Sequence, residues 1–115
     1  MNSIETFFIL SLVVQFAHSL EELSTGFHSK WYLFKMPFWV FFLWEVAFTL
    51  FWVIVWITPS FPNREAFQAF FLVLMLANGI QHLVWWGCVK KYVPGLITAP
   101  IHIAVFLVFY YKVLL

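Results

Sequence analysis

Residues 37–57 read Pro37-Phe38-Trp39-Val40-Phe41-Phe42-Leu43-Trp44-Glu45-Val46-Ala47-Phe48-Thr49-Leu50-Phe51-Trp52-Val53-Ile54-Val55-Trp56-Ile57, with one charge, Glu45, in the whole run. A membrane-crossing helix needs about 20 mostly apolar residues. This run meets that length, and three others flank it. Residues 4–23 precede it, and residues 66–89 and 95–114 follow. Between them lie short breaks. Residues 24–35 are polar and lead to Pro37. Thr58-Pro59-Ser60-Phe61-Pro62-Asn63-Arg64-Glu65 is a turn with two prolines and a helix-starting Asn. Lys90-Lys91-Tyr92-Val93-Pro94-Gly95 closes the third run and opens the fourth. Short connections join neighbours up-down-up-down. The expected fold is therefore all-α, a four-span transmembrane helical bundle, with residues 1–115 forming one integral membrane domain.

Composition agrees. The chain has 115 residues, 64% apolar, 23% aromatic and 10% charged. A soluble domain has about half apolar and about a quarter charged residues. Nor could one so small hide 16 Phe and 7 Trp from water. Disorder, a collagen-like chain and nucleic-acid binding are excluded, because each needs far more polar or basic surface. A lone cysteine, Cys88, excludes an internal disulfide framework and a Cys-rich zinc site; it reads as a buried small apolar residue. The first run lacks the basic start of a signal peptide, carrying Glu5 instead, and so reads as a retained span. Lys30, Lys35, Lys90 and Lys91 occupy the first and third loops, against Arg64 and Lys112 on the other side. The positive-inside rule then puts those loops in the cytoplasm and both ends outside, in the plasma membrane or a bacterial inner membrane.

Ionisable groups inside a membrane cost at least a few kcal/mol each and mark function or tight pairing. His18, Glu21, Glu22, Glu45, His82 and His102 all lie within or at the ends of the spans. At about 1.5 Å per residue, His18 sits roughly 7 Å from the Lys-loop end of its span, Glu45 about 12 Å, and His82 and His102 about 10 Å each. Alternate helices run in opposite directions, so each gives one polar group to a common layer. Facing agrees with depth. Ser11, Gln15, His18 and Glu22 form one stripe, with Glu21 beside it; Gln68, Met75, Asn78, His82 and Trp85 form another. Thr98 and His102 share a face, as do Glu45 and Thr49. Such stripes also serve as glue between membrane helices. That suffices for a single His or Gln, whereas three His and three Glu at one end favour a site.

The run His18-Ser19-Leu20-Glu21-Glu22 at the end of a first span resembles the signature of the HXXEE-motif family of small multi-span membrane proteins. Asn78-Gly79-Ile80-Gln81-His82 and Tyr92-Val93-Pro94-Gly95-Leu96-Ile97-Thr98 resemble later features of that family. The resemblance covers nearly the whole chain. It implies a multi-span membrane domain whose His and Glu are functional, and it names no reaction. Glu45 and His102 join the site on depth and facing alone.

His and carboxylate are the usual ligands of zinc, iron and manganese. His18, Glu22, Glu45, His82 and His102 supply enough for one divalent metal or two, and His18 with Glu21 reverses the Glu-x-x-His order of di-metal bundles. Without a metal, a Glu in an apolar pocket can hold a proton that a neighbouring His relays. Trp39, Trp44, Trp85 and Trp86 lie in the same half of the membrane, as an interfacial belt or as a lining that stabilises a cationic intermediate. Pro100 should kink the last span and free the carbonyl of Leu96. His28, in the polar loop, should be solvated. The expected function is a membrane-embedded enzyme acting on a hydrophobic, lipid- or isoprenoid-like substrate, with metal-assisted chemistry ahead of metal-free acid–base work. Its expected catalytic residues are His18, Glu21, Glu22, Glu45, His82 and His102. Partners are membrane lipids and that substrate, in a homo-oligomer or a larger membrane complex, with no nucleic acid. The alternative is a non-enzymatic subunit whose His bind a haem or chlorophyll, or whose polar layer is structural.

Overall fold

A computed structural model describes residues 2–115, and they fold as helices joined by short loops. Helix α1 is Ser3–Ser24, α2 Phe27–Lys30, α3 Phe38–Ile57, α4 Arg64–Val89 and α5 Ala99–Phe109, which runs into a π-helical end at Tyr110–Leu114. Three of them, α1, α3 and α4, are long and apolar enough to cross a membrane, while the apolar stretch Ala99–Leu114 is shorter. Local chemistry sets the ends. The Asn2 side chain accepts the Glu5 N–H at 2.8 Å and caps α1. Lys90 turns left-handed (φ 58°) to stop α4, its N–H bonded to the Trp86 carbonyl.

The fourth run departs from expectation. Residues 95–98 form a turn, and the helix starts at Ala99 with Pro100 in its first turn. There a proline lacks only an N–H that would have no helical acceptor, so it starts the helix and kinks nothing. The polar first loop also holds more than expected, since α2 folds back and buries Phe27.

Helices α1, α4 and α5 pack mutually. A Cβ on Gly79 of α4 would lie 2.7 Å from the Ala99 carbonyl oxygen, so glycine permits this close approach to α5. Helix α3 leans chiefly on α1 and touches α2 and α4 less, with a cleft between α3 and α4. One apolar cluster (Phe8, Leu12, Trp52, Val55, Phe71, Met75) fills the end near Arg64. A second (Phe27, Phe41, Trp85, Val93) fills the Lys-loop end. Along α3 Glu45 falls between the two clusters, and along α4 His82 does, so the polar groups are layered between apolar ones.

Candidate functional site

His18 and Glu22 are one helical turn apart on α1 and share its inward face. Both are buried, and His82 of α4 meets them there. The two Nε2 atoms lie 3.1 Å apart. Glu22 Oε2 lies 3.5 Å from His18 Nε2 and 3.2 Å from His82 Nε2. Each of the three residues thus offers one ligand-type atom to a single small triangle.

The triangle is held in place from outside. His18 Nδ1 lies 2.5 Å from Thr98 Oγ1, which donates to Glu21 Oε1 at 2.8 Å. With its one hydrogen given to Glu21, the Thr98 hydroxyl accepts from His18 Nδ1–H. In the neutral ring this assignment, made from the hydrogen-bond network, leaves the Nε2 lone pair pointing at Glu22 and His82. Glu21 also accepts from the Ile97 and Thr98 N–H groups, each at 3.0 Å, and from the Tyr92 hydroxyl. It therefore caps the start of α5 and pins the loop before it. Burial, and then the Glu21 carboxylate, raise the Tyr92 hydroxyl above its ordinary pKa, which keeps it a donor. Gly95 of that loop adopts φ +92°, and a Cβ there would lie 2.5 Å from His82 Cε1 and 2.7 Å from His18 Cε1. The loop backbone is thus a lid pressed onto both rings, and only glycine fits.

Glu45 and His102 stand beside the triangle. Four groups form a chain: His102 Nε2 lies 3.0 Å from Gln15 Oε1, Gln15 Nε2 donates to Ser19 Oγ at 3.3 Å, and Ser19 donates to Glu45 Oε2 at 2.5 Å. With His102 donating, every hydrogen in the chain points toward Glu45. The His102 ring also packs 5.2 Å from that of His18, centroid to centroid. Gln15, Glu22 and Glu45, with Asn78 and Gln81 of α4, supply the polar part of the wall of a cavity of about 700 Å³ in the α3–α4 cleft.

The structure thus brings His18, Glu22 and His82 into contact, sets Glu45 and His102 next to them, and gives Glu21 a different task. Gln68 and Ser11 lie on the same stripes, buried without a hydrogen-bond partner. Two sequence expectations are corrected. Cys88 is exposed, because its side of α4 faces away from the other helices. His28 is half-buried against Phe38, with ring centroids 5.4 Å apart, because α2 folds over the bundle end. The four Trp split: Trp85 is buried 6.1 Å from His82, Trp44 edges the cavity, and Trp39 and Trp86 face outward. Sequence reading also missed Phe27, whose ring lies 5.9 Å from His82. Its burial is set by the folding-back of a loop that looks polar, and no periodic signal marks it.

The family model described as "Protein of unknown function with HXXEE motif" matches residues 9–111. The chain belongs to this family. Neither a curated protein nor a solved structure matches it. In the HXXEE motif, His18 and Glu22 face the buried triangle, Ser19 reaches Glu45, and Glu21 reaches sideways to the α5 loop. One short run of α1 therefore touches every other long helix at the polar layer.

Proposed function

We propose that this is a four-span membrane enzyme in which His18, Glu22 and His82 hold a divalent metal beside a cavity for a hydrophobic substrate. The carrying observation is the size of the triangle. Zinc bonds to imidazole nitrogen and carboxylate oxygen run about 2.0–2.2 Å, and a tetrahedral edge is about 1.6 times the bond length, or roughly 3.2–3.5 Å. The observed edges are 3.1, 3.2 and 3.5 Å. Three protein ligands with a fourth position open is the pattern of catalytic rather than structural zinc. The Glu21–Thr98–His18 relay is the outer support that metal-ligating histidines characteristically have.

Held by His18, Glu22 and His82, such a metal would supply Lewis-acid polarisation of a substrate oxygen. Glu45, in the cavity wall and outside the ligand triangle, takes or returns the proton. Ser19, Gln15 and His102 hold its carboxyl in position. The open α3–α4 cleft supports entry of the substrate from the side, within the apolar phase. Acid–base work without a metal is the second reading, supported by the 3.1 Å separation of the His18 and His82 nitrogens, which a shared proton also spans. A tetrapyrrole between His18 and His82 finds less support, since those nitrogens face each other too closely for a macrocycle to lie between them. The four crossings run up-down-up-down, the Lys-bearing loops in the cytoplasm, with Ala99–Leu114 as a short last span.

The test is elemental analysis of purified protein, wild type and His82→Gln. Stoichiometric zinc, iron or manganese in the wild type, lost in a variant that stays folded and membrane-inserted, is the expected result. An amide hydrogen-bonds as imidazole does but is a poor ligand, so equal metal content in both proteins overturns the metal centre.

A further inference from the structure

We infer that Asn78 is a specificity-determining residue of the α3–α4 cavity, its side-chain NH2 donating to a carbonyl oxygen on a hydrophobic guest. The inference rests on the reading of that cavity as the substrate site, and not on the metal.

Two donors from the loop after α2 meet one side chain of α4. Trp31 Nε1 lies 3.4 Å and the Tyr32 hydroxyl 3.3 Å from the same atom of Gln81. An indole N–H can only donate, so that atom is the amide oxygen, Oε1. The Gln81 NH2 then faces the other way and meets Asn78, one helical turn back, at 3.2 Å. It too can only donate, so the atom that receives it is Asn78 Oδ1. One indole thus fixes both amides, whose orientations are assigned from this network. What is left over is Asn78 Nδ2, with two hydrogens and no acceptor among the described residues.

All four residues line the cavity, and Asn78 is half-buried there. Successive donations along the ladder polarise the last N–H groups and strengthen them as donors. An unpaired donor in a largely apolar wall is costly until a guest supplies an oxygen. A carbonyl does so and brings no hydrogen that needs an acceptor in turn.

Depth identifies the source of that oxygen. At about 1.5 Å per residue, Asn78 lies roughly 16 Å along α4 from its end at Val89. Across a hydrocarbon core about 30 Å thick, that is close to the midplane. The ester carbonyls of bilayer glycerolipids lie at the headgroup boundary and do not reach it. The guest is a chain or ring bearing a ketone or aldehyde, with no headgroup to hold it at the surface.

The experiment uses chelator-treated protein, so that no metal captures the carbonyl, in nanodiscs of ether-linked phosphatidylcholine, so that no bilayer ester competes. Two diazirine probes of one chain length, a methyl ketone and the corresponding alkane, are photolysed, and the labelled peptides are mapped by mass spectrometry. The ketone should label segments carrying Trp31, Phe41 or Trp44 about three- to tenfold more than the alkane, the value of one net hydrogen bond in a membrane. In Asn78→Leu, close in size, that ratio should fall to about one while alkane labelling persists. Trp31→Phe frees Gln81 to turn, so there the ratio should fall part of the way. Equal labelling by ketone and alkane in the wild type overturns the inference, and that arm needs no variant. A ratio retained in Asn78→Leu removes Asn78 from it. In ester-linked lipid the wild-type ratio should be unchanged; its collapse there would make a bilayer glycerolipid the guest and overturn the assignment from depth. Absence of labelling by either probe overturns the cavity reading itself, an outcome distinct from equal labelling.

Discussion

The two neighbouring glutamates of the motif carry different loads. Glu22 points inward, where its Oε2 completes the triangle with two imidazole nitrogens. Glu21 points sideways and gathers Thr98, the Ile97 N–H and the Tyr92 hydroxyl. Substitution by Gln should separate them. Glu22→Gln removes a ligand, so bound metal should fall to background while the fold survives. Glu21→Gln keeps one acceptor oxygen but loses the carboxylate that orients Thr98, and through it His18. Loss of such an outer partner costs about 10–100-fold in metal affinity. Thr98→Val should show a loss of that order, and Thr98→Ser should restore most of it, because the hydroxyl and not the methyl carries the relay. Metal titration followed by competition with a chromophoric chelator reads all four proteins. Equal affinity of Glu21→Gln and wild type would leave Glu21 a loop anchor alone.

At the scale of elements, the two ends of the bundle are fastened by different means. Opposite the site, Arg64 at the start of α4 donates to the Val55 and Trp56 carbonyls that end α3, and to Glu5 of α1. One guanidinium thus ties three helices, at 3.0 Å and 2.5 Å to the carbonyls and 2.5 Å to the carboxylate. Hydrogen bonds to charged groups are worth about 1.5–3 kcal/mol, discounted here because both side chains are partly exposed. Arg64→Met should destabilise by about 1–2 kcal/mol in a thermal shift in detergent, with metal binding unchanged. Loss of bound metal in Arg64→Met would mean that the two ends are not independent. The long helices were legible because each is a continuous apolar run, and the His and Glu layer because helical periodicity turns spacing into facing. The α5 loop was not. Its form depends on Glu21, three helices away in sequence, and on a Gly95 that only the two His rings make necessary. The roof laid by Phe27 was hidden for the same reason: a short run between polar residues carries no period, and its burial comes from tertiary contact. Pro100 misled because its effect depends on whether a helix has begun before it.

The whole molecule sets its polar layer at one level and its lysines beyond that level, which ties site and sidedness together. Lys30 and Lys35 follow α1, and Lys90 and Lys91 follow α4, so all four leave the bundle at the end where Phe27 and Val93 close over the histidines. In the proposed orientation that end, with four lysines against Arg64 and Lys112 at the other, faces the cytoplasm. Metal would then reach the triangle from the cytoplasmic face, beneath the Gly95 loop, while a hydrophobic guest enters from the side. Cysteine labelling tests the arrangement directly. Cys88 is exposed and must first be replaced by Ser, or it would report on every variant. Single cysteines at Lys30 and Lys90 should then be protected from an impermeant maleimide applied to intact cells and react once the cells are opened. One at Asn63, in the turn between α3 and α4, should react in intact cells. Labelling of the first two and protection of the third would invert the orientation and leave the triangle, which is fixed by helix packing, as it is. Reaction of Lys30 and Lys90 from opposite sides would break the four-crossing topology itself, because α1 and α4 must end on one face for His18 and His82 to meet.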